Sequence, residues 1–440
     1  MSTQPFLPPP PPPPAFKPGA PPVQRLLRPA DSPSDNLAAH LARHGRMPAA
    51  SPATIMGEVD ASGLLGRGGA GFPAGRKMRT VAAGSARAVV VGNGCEGEPG
   101  SGKDDLLLRQ SPHLVLDGLS LAARAVGADE VHLVLHARSA AAPVLAQAID
   151  ERLRAKLDTV RVQLHAVPAR YVSSEESALV QFLNGGPAKP TFTPPRPYER
   201  GVSRRPTLIN NVETLANIAL IARHGSDWFR SVGDADEPGT QLITVTGPGT
   251  TRQVLEIETG TTVGSVLATA GIRYEDCQAV LVGGYFGTWL APAVAHRLPM
   301  THESLRAAGG ALGAGIVIGL PHDRCGLAET ARVAGYLAAH NAGQCGPCLN
   351  GLPSIAGALQ KLAYGPWDER MTAPLARWLT VVPGRGACRH PDGAIRLIGS
   401  ALQVFAQDVD SHRAGFRCRG VGNSQFLPVP HLAAASGPWR

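Results

Sequence analysis

Between residues 50 and 230 the chain alternates short apolar runs with longer stretches of helical spacing, and this alternation constrains the fold more than any other feature. ARAVVVGN (86–93) and EVHLVLHA (130–137) are nearly continuous apolar runs, as strands buried on both faces are. PHLVLDGLSLAARAVG (112–127) and APVLAQAIDERLRAKL (142–157) set apolar residues three and four apart, which predicts helices. Strands alternating with helices must be joined by crossovers, so this region predicts an α/β domain with a largely parallel sheet.

A second unit follows. QLITVTGPGTTRQVLEIETGTTVGSVLATAG (241–271) reads strand, turn, strand, helix, and VLVGGYFGTWL (280–290) reads as one more strand, a small β-grasp-like unit. GGALGAGIVIGL (309–320) is too short to span a bilayer and reads as a buried, tightly packed strand. After 325 the helical period returns in LAETARVAGYLAAHNAG, LPSIAGALQKLAY, APLARWLTVV and GAIRLIGSALQVFAQDVDSH. These four segments predict a small helical domain containing Cys345, Cys348 and Cys388. The proline tract in MSTQPFLPPPPPPPAFKPGAPPVQRLL cannot build a core and is expected to be extended, as a linker or a ligand for an aromatic groove. Order is expected to begin near DSPSDNLAAHLARHG, with Asp31, Ser32 or Ser34 capping a short helix, and the final twenty-odd residues read as irregular.

Composition excludes several classes. The formal charge is +8, but the arginines are scattered apart from RPYERGVSRR (196–205) and no aromatics interleave with them, which argues against nucleic acid. No apolar run is long enough for a membrane span, and the N-terminus lacks the basic stretch and apolar core of a secretory signal. Seven cysteines without a regular framework fit a reducing compartment, so a cytoplasmic location is expected.

Two glycine loops invite a nucleotide reading. GRGGAG (66–71) fits G-x-G-x-x-G, but VDASGLL before it makes no convincing strand, so the dinucleotide fingerprint is not met. Close glycines still let backbone N–H groups approach a phosphate, and Arg76 and Lys77 follow where a helix can begin; a flexible turn is the plain alternative. GEPGSGKD (97–104) matches the first seven positions of a P-loop. Asp104 stands where Ser or Thr would hold Mg²⁺, Pro99 removes an N–H, and Glu96 and Glu98 would crowd a triphosphate, so the NTPase reading fails. Carboxylates there suit ribose hydroxyls or an amide. YVSSEESALVQFLNGG (171–186) sets Glu175 and Glu176 before a helical run, and PTLINNVETLANIA (206–219) sets Asn210 and Asn211 before another. Both patterns are usual for helix caps, and both are what a nucleotide site needs at its loop ends.

GRGGAGFPAGRK, NGCEGEPGSGKDD, YVSSEESALV and PTLINNVETLANI, in that order, resemble the NADH-binding flavoprotein subunit of respiratory complex I and its relatives in NAD-linked hydrogenases and formate dehydrogenases. The resemblance runs from about 55 to about 412. It implies a Rossmann-like FMN/NADH-binding α/β domain (36–236), a β-grasp domain of the SLBB kind (237–324) and a C-terminal helical-bundle iron–sulfur domain (325–415), between a disordered proline-rich tail (1–35) and an irregular tail (416–440). Gly66, Arg67, Gly68, Gly69 and Lys77 would hold the FMN phosphate and ribityl chain. Asn93, Tyr171, Asn210, Asn211 and Thr214 would line the flavin. Phe72, Glu98, Glu176, Lys189 and Phe192 would hold NADH, with Glu96 and Glu175 also among the cofactor-binding carboxylates. The implied activity is that of an NADH dehydrogenase: hydride from NAD(P)H to FMN, then single electrons through an iron–sulfur cluster to a ferredoxin-like or other redox subunit. No side chain need act as acid or base. The chain itself would not span a membrane, though a complex could hold it at one.

HNAGQCGPCLNG (340–351) contains the C-G-P-C of thioredoxin, yet a helical stretch precedes it where an exchange dithiol would follow a strand. The family's motif here is C-G-x-C-x-P-C with a distant fourth cysteine, the ligand set of a [4Fe–4S] cluster. Gly343, Cys345, Pro347 and Cys348 match, Cys388 matches the distant ligand, and Ala342 replaces the first cysteine. Three thiolates leave open a [4Fe–4S] cluster completed by His340, Asn341 or water, a [3Fe–4S] cluster, Zn²⁺ on Cys345, Cys348, Cys388 and His390, or no metal. Cys95 also replaces an acidic residue near the flavin, Ser173 and Ser174 a Cys-Gly pair, and Met78 and Thr80 two aromatics. These departures keep two rival readings open, a non-catalytic scaffold and a flavin enzyme without a working cluster.

Overall fold

The computed structural model describes residues 24–28, 35–366, 368–416, 418–430 and 439. Four short strands, β1 (Val89–Asn93), β2 (Glu130–His136), β3 (Val162–Val167) and β4 (Thr207–Asn211), form a wholly parallel sheet in the order β3–β2–β1–β4. From β1 the chain winds outward to β2 and β3, then returns to lay β4 on the opposite side of β1. Connections therefore leave the carboxyl ends of β1 and β4 in opposite directions, and a crevice opens between them, the usual ligand position in such sheets. The sequence reading missed β4. TLINN runs straight into the helix Val212–His224 with no intervening loop, so its five residues read as the approach to that helix.

The sheet is packed between helices. Pro112–Val126 and Val212–His224 cross so closely that a Cβ on Gly118 would lie 1.9 Å from the Leu215 carbonyl oxygen.

The second sheet contains β5 (Thr240–Thr246), β6 (Gln253–Glu258), β7 (Cys277–Val282), β8 (Thr288–Leu290) and β9 (Ile316–Pro321), ordered β6–β5–β9–β7–β8. The central pair β5–β9 is parallel and the other pairs are antiparallel, with the helix Val263–Thr269 buried against one face through Val263, Val266 and Leu267. This is β-grasp connectivity. VLVGGYFGTWL, read as one strand, is two: Gly283 and Gly284, at φ +94° and +82°, reverse the chain between β7 and β8.

The C-terminal helices are Gly326–Ala339, Leu352–Tyr364, Glu369–Val381, His390–Val404 and Ala406–Arg413. The last expected segment is thus divided in two at Phe405. Among the described residues no helix is long and apolar enough to cross a membrane.

Part of the expected disordered tail is docked. Leu26 and Leu27 are buried, and the amides of Arg25, Leu26 and Leu27 all donate to the Glu256 carboxylate. The Arg25 guanidinium lies 3.9 Å from the Trp228 ring centroid. Two leucines and an arginine that finds an aromatic face outweigh the solvating effect of the neighbouring prolines. The first helix, Leu37–His44, is capped by Asn36; Asp31, Ser32 and Ser34 lie outside the described residues, as does the proline tract.

Replacing Gly118 by Ala drives a methyl group into backbone, which cannot rotate away. Gly118→Ala is expected to lower stability by about 2 kcal/mol or more, read as a lower midpoint in urea unfolding at unchanged slope.

Candidate functional site

The carboxyl ends of β1 and β4 carry the floor of the crevice. Asn93 pairs in register with Asn211, and Asn210 precedes it. Asn93 Nδ2 donates to the Ser174 carbonyl at 2.9 Å while its Oδ1 accepts the Cys95 amide. Asn211 Oδ1 caps the following helix at the Glu213 amide, and its Nδ2 donates to Asp104 at 2.8 Å. Asn210 differs: its Nδ2 is buried and has no hydrogen-bond partner. A buried amide N–H₂ left so costs on the order of 1–3 kcal/mol unless a ligand accepts from it.

The glycine loop forms one wall. Gly69 and Gly71 adopt φ +104° and +63°, and a Cβ on Gly69 would lie 2.9 Å from the Gly313 carbonyl oxygen. A Cβ on Gly68 would press on Asn211 at 3.4 Å. At its glycines the loop therefore lies flat between β4 and the second sheet unit. Lys77, on the helix that follows, donates to the Ile209 carbonyl at 2.6 Å and pairs with Glu176. Arg67 behaves otherwise. Its amide donates to Thr214 Oγ1, and its buried guanidinium turns away to the Thr240 carbonyl at 3.0 Å and toward Glu213. Arg67 and Thr214 thus position the loop, and the Arg67 charge is spent inside the protein. A glycine cradle, an orphaned amide and a lysine at a switch-point crevice fit a phosphorylated flavin such as FMN.

Glu98 is the focus of the neighbouring nucleotide region. The Tyr171 hydroxyl and the Tyr285 amide donate to it, the latter at 3.0 Å. A Cβ on Gly284 would come within 2.9 Å of the Glu98 carboxyl carbon, so glycine there lets the second sheet unit close over it. Burial pushes the Glu98 carboxyl up to about 7, against the lowering effect of these donors. Tyr285 and Gly284 are partners the sequence reading missed, because nothing in GGYFG marks which acid it meets. Phe72 and Phe192 are 45% and 72% exposed, unusual for phenylalanine and suited to stacking on a planar ligand. Lys189 faces the penultimate residue: its ammonium lies 4.7 Å from the Trp439 ring centroid, Arg170 lies 4.1 Å from the same ring, and the Ala188 amide donates to the Trp439 carbonyl.

Two expected cofactor carboxylates do other work. Glu96 accepts from Ser101 Oγ and from the amides of Asp104 and Asp105, capping the helix Lys103–Gln110. Glu175 accepts from the amides of Ser177 and Ala178, capping Glu176–Leu183. Each sits before a helix whose first amides need acceptors, and that local demand takes both oxygens of Glu96 and one of Glu175. The P-loop likeness dissolves for the same kind of reason. Lys103 is buried and pairs with Asp104 and Glu213, both at 2.8 Å; burial alone would lower its ammonium, but the two carboxylates outweigh it. Cys95 is buried as a neutral thiol, raised by burial and then by Asp104.

In the helical unit Cys345 and Cys348 interact directly, and Cys388 lies close enough to act on Cys348. Burial raises the Cys348 thiol, the neighbouring Cys345 and Cys388 raise it further, and the Ala342 amide, which donates to its sulfur, lowers it. Cys388 is pushed up to about 11, chiefly by burial. These three do not approach one another as closely as single-ion ligands do, since the one group of that tightness among the described residues lies elsewhere. Wider spacing suits a cluster better than a single zinc. His390, the expected fourth zinc ligand, donates Nε2 to the Leu337 carbonyl at 2.8 Å. His340, two residues before Ala342, is buried with neither ring nitrogen partnered. Three thiols, two of them with amide donors at sulfur, and an unpartnered imidazole nearby in the chain fit an iron–sulfur cluster with an incomplete cysteine set.

Residues 59–220 match the family model described as the Nuo51 FMN-binding domain, and 328–412 match the NADH-ubiquinone oxidoreductase-F iron-sulfur binding region. The chain is 31% identical over 382 residues to the F subunit of the NADH-quinone oxidoreductase of Salmonella typhimurium, covering 82% of this chain and 84% of that one. It is 30% identical over 383 residues to an F subunit of the same kind of enzyme in Rhizobium meliloti, covering 84% and 90%. Among solved structures it is similar to a chain of an NAD⁺-reducing [NiFe]-hydrogenase in the air-oxidised state, with a TM-score of 0.77 and 31% identity, covering 90% of this chain and 67% of that one. For the same kind of enzyme in the H₂-reduced state the TM-score is 0.75, and this chain spans 62% of the hydrogenase chain. With the FMN-binding and iron–sulfur regions both matched in order, and relatives at 31% and 30% identity matched over most of their length, the chain belongs to the family of NADH-quinone oxidoreductase F subunits.

Proposed function

We propose that this chain is the NADH-oxidising subunit of a larger redox assembly, with FMN in the crevice between β1 and β4 and an iron–sulfur cluster on Cys345, Cys348 and Cys388. The observation that carries the reading is Asn210, whose buried amide nitrogen lacks a partner at the switch point of the sheet. When bound, FMN accepts a hydride from NADH and releases the electrons singly to the cluster. The glycine loop brings backbone N–H groups to the phosphate, Lys77 adds its charge, and Asn93, Asn210 and Asn211 orient the flavin ring. Glu98 accepts from the ribose hydroxyls of NADH, Glu176 and Lys189 flank it, and Phe72 and Phe192 stack on its bases. The three units correspond to 36–236, 237–324 and 325–415.

The acceptor is a ferredoxin-like or other redox subunit. Relatives of this chain are subunits of an NADH-quinone oxidoreductase and of an NAD⁺-reducing hydrogenase, which supports a soluble electron relay docked to partners. Seven cysteines without a disulfide among them suit the cytoplasm.

Anaerobic purification followed by an absorbance spectrum and iron analysis, before and after NADH, tests the reading. Flavin and cluster absorbance that bleach together support it; protein without flavin or iron overturns it in favour of a scaffold, and flavin bleaching without iron in favour of a cluster-free dehydrogenase.

Glu98 is ionised only above about 7, so NADH affinity should weaken by about tenfold from pH 8 to pH 6 as the acceptor is neutralised. The raised carboxyl also makes the folded state bind a proton that the unfolded state has lost, so stability declines as pH rises from about 4.5 to about 7. Glu98→Gln should abolish both pH dependences and weaken NADH binding at pH 8, because Gln offers one acceptor oxygen where Tyr171 and Tyr285 converge; titration calorimetry across pH checks it. Ala342→Cys should restore a fourth thiolate beside Cys348. Its electron paramagnetic resonance should lose any three-iron signal in the oxidised protein and gain a four-iron signal on reduction, with iron content rising or unchanged.

A further inference from the structure

Outside the flavin crevice and the cluster loop, one group of side chains among the described residues has the spacing of a metal site. Cys325, His412 and Cys418 bring their Sγ and nitrogen ligand atoms within 4.8 Å of one another. Cys325 and His412 are buried and Cys418 is half-buried. A tetrahedral zinc with two thiolates and an imidazole separates its ligand atoms by about 3.5–3.8 Å. Cys325 Sγ and His412 Nε2 are already 3.9 Å apart, so gathering them round an ion needs only a small closure.

The surroundings select the imidazole form such an ion requires. His412 Nδ1 donates to the Leu362 carbonyl at 3.1 Å, which fixes the proton there and leaves the Nε2 lone pair toward the cysteines. This outer hydrogen bond is what metal-bound imidazoles use to hold their tautomer. The same lone pair accepts the Cys418 amide at 3.3 Å, a weak contact that an ion would replace. Cys325 stands at the N-cap of the helix Gly326–Ala339, where its sulfur accepts the Ala328 amide at 3.3 Å. Burial raises the Cys325 thiol and the Ala328 amide only partly offsets this, so the thiolate forms as an ion displaces the proton. Water can supply the fourth ligand.

The site lies at the margin of the family's own cluster region, with His412 its last matched residue. Cys325 precedes the matched segment 328–412, Cys418 follows it, and none of the three cluster cysteines takes part. We propose that Cys325, His412 and Cys418 form a second, mononuclear metal site for Zn²⁺, structural in role, which clamps the C-terminal segment to the head of the Gly326–Ala339 helix. Thiolate and imidazole donors without an obligatory open position favour zinc over harder cations. The clamp has something to hold. A Cβ on Gly420 would lie 2.4 Å from the Cys325 nitrogen, so the turn Arg419–Gly422 is pressed flat against this helix start. Beyond it the Phe426 and Leu427 amides donate to Glu329, and the Pro428 carbonyl accepts the Tyr285 hydroxyl at 2.6 Å. Tyr285 is the residue whose amide holds Glu98, so the anchored segment ends against the nucleotide region.

The test is metal analysis of the full chain, purified anaerobically with iron and flavin measured alongside, for wild type, Cys418→Ser and Cys345→Ser. Expected are one zinc per wild-type chain, loss of that zinc in Cys418→Ser with iron and flavin unchanged, and its retention in Cys345→Ser. Growth with Co²⁺ should give wild type the thiolate-to-cobalt absorption that Cys418→Ser lacks. Limited proteolysis should cleave the segment after 412 several-fold faster in Cys418→Ser than in wild type. Wild-type protein with no zinc and no cobalt spectrum overturns the proposal, as does zinc that survives Cys418→Ser and disappears in Cys345→Ser. A Cys325–Cys418 disulfide found by mass spectrometry in the anaerobically prepared chain also overturns it. Because zinc is read in the cluster-deficient variant as well, failure of the electron-transfer reading would leave this result interpretable.

Discussion

The buried charge pair of Lys103 and Glu213 is the constraint on which the flavin crevice depends. Glu213 accepts from Lys103 through one oxygen and from the Leu242 amide of β5 through the other, while Arg67 approaches from the glycine loop. Lys103 also holds Asp104, which in turn accepts the Asn211 amide. One network thus joins the loop after β1, the end of β4, the glycine loop and the second sheet. A buried ion pair is weak evidence for stability as such, because desolvation offsets much of the attraction. Its worth here is geometric. A single uncompensated charge would be costly, so each group holds the others at the mouth of one crevice, and the crevice stays open to a ligand instead of collapsing onto its own polar atoms.

Glu98 does the same for the junction of all three units. Tyr171 reaches it from the α/β unit and Tyr285 from the β-grasp unit. The Tyr171 ring meets Phe286 edge-on at 4.8 Å and His390 of the helical unit at 5.5 Å. A raised carboxyl among aromatic rings is an expensive arrangement that packing alone would not select. A raised carboxyl in a cleft with specific partners is a candidate functional position. The same aromatic cluster joins the nucleotide region to the helical unit through Tyr171, Phe286 and His390.

Much of this was legible in the sequence because the relevant signals are local. Continuous apolar runs gave β1 and β2, and helical spacing gave the helices packed on them. The motifs brought Lys77, Asn93, Asn210 and Asn211 to one crevice. The losses are equally physical. β4 is short and fused to a helix, so no turn residue announces it. Glu96 and Glu175 read as cofactor ligands because a carboxylate before a helix looks the same whether it caps the helix or binds a ribose, and only the distribution of amides distinguishes them. Arg67 carries the right charge in the right loop, yet Glu213 and two carbonyls claim it. Cys325, His412 and Cys418 have no motif spacing at all. They are separated by 87 and 6 positions and meet only through the packing of helix ends.

The absence of a cysteine at 342 need not have cost the cluster loop its shape. Asn341 holds that loop by itself: its Nδ2 donates to the Cys348 carbonyl at 2.9 Å and its Oδ1 accepts the Gly343 amide at 2.7 Å. Gly343, at φ +66°, then turns the chain toward Cys345, and the Ala342 amide still points at the Cys348 sulfur. Backbone and Asn341 therefore preorganise the two remaining near cysteines without help from a ligand at 342. A metal ligand embedded in a loop that depended on it could not be lost without unfolding the loop. Here the fold and the ligand set are separable, which is why a chain can keep the family's architecture while changing the chemistry available at one corner of its cluster.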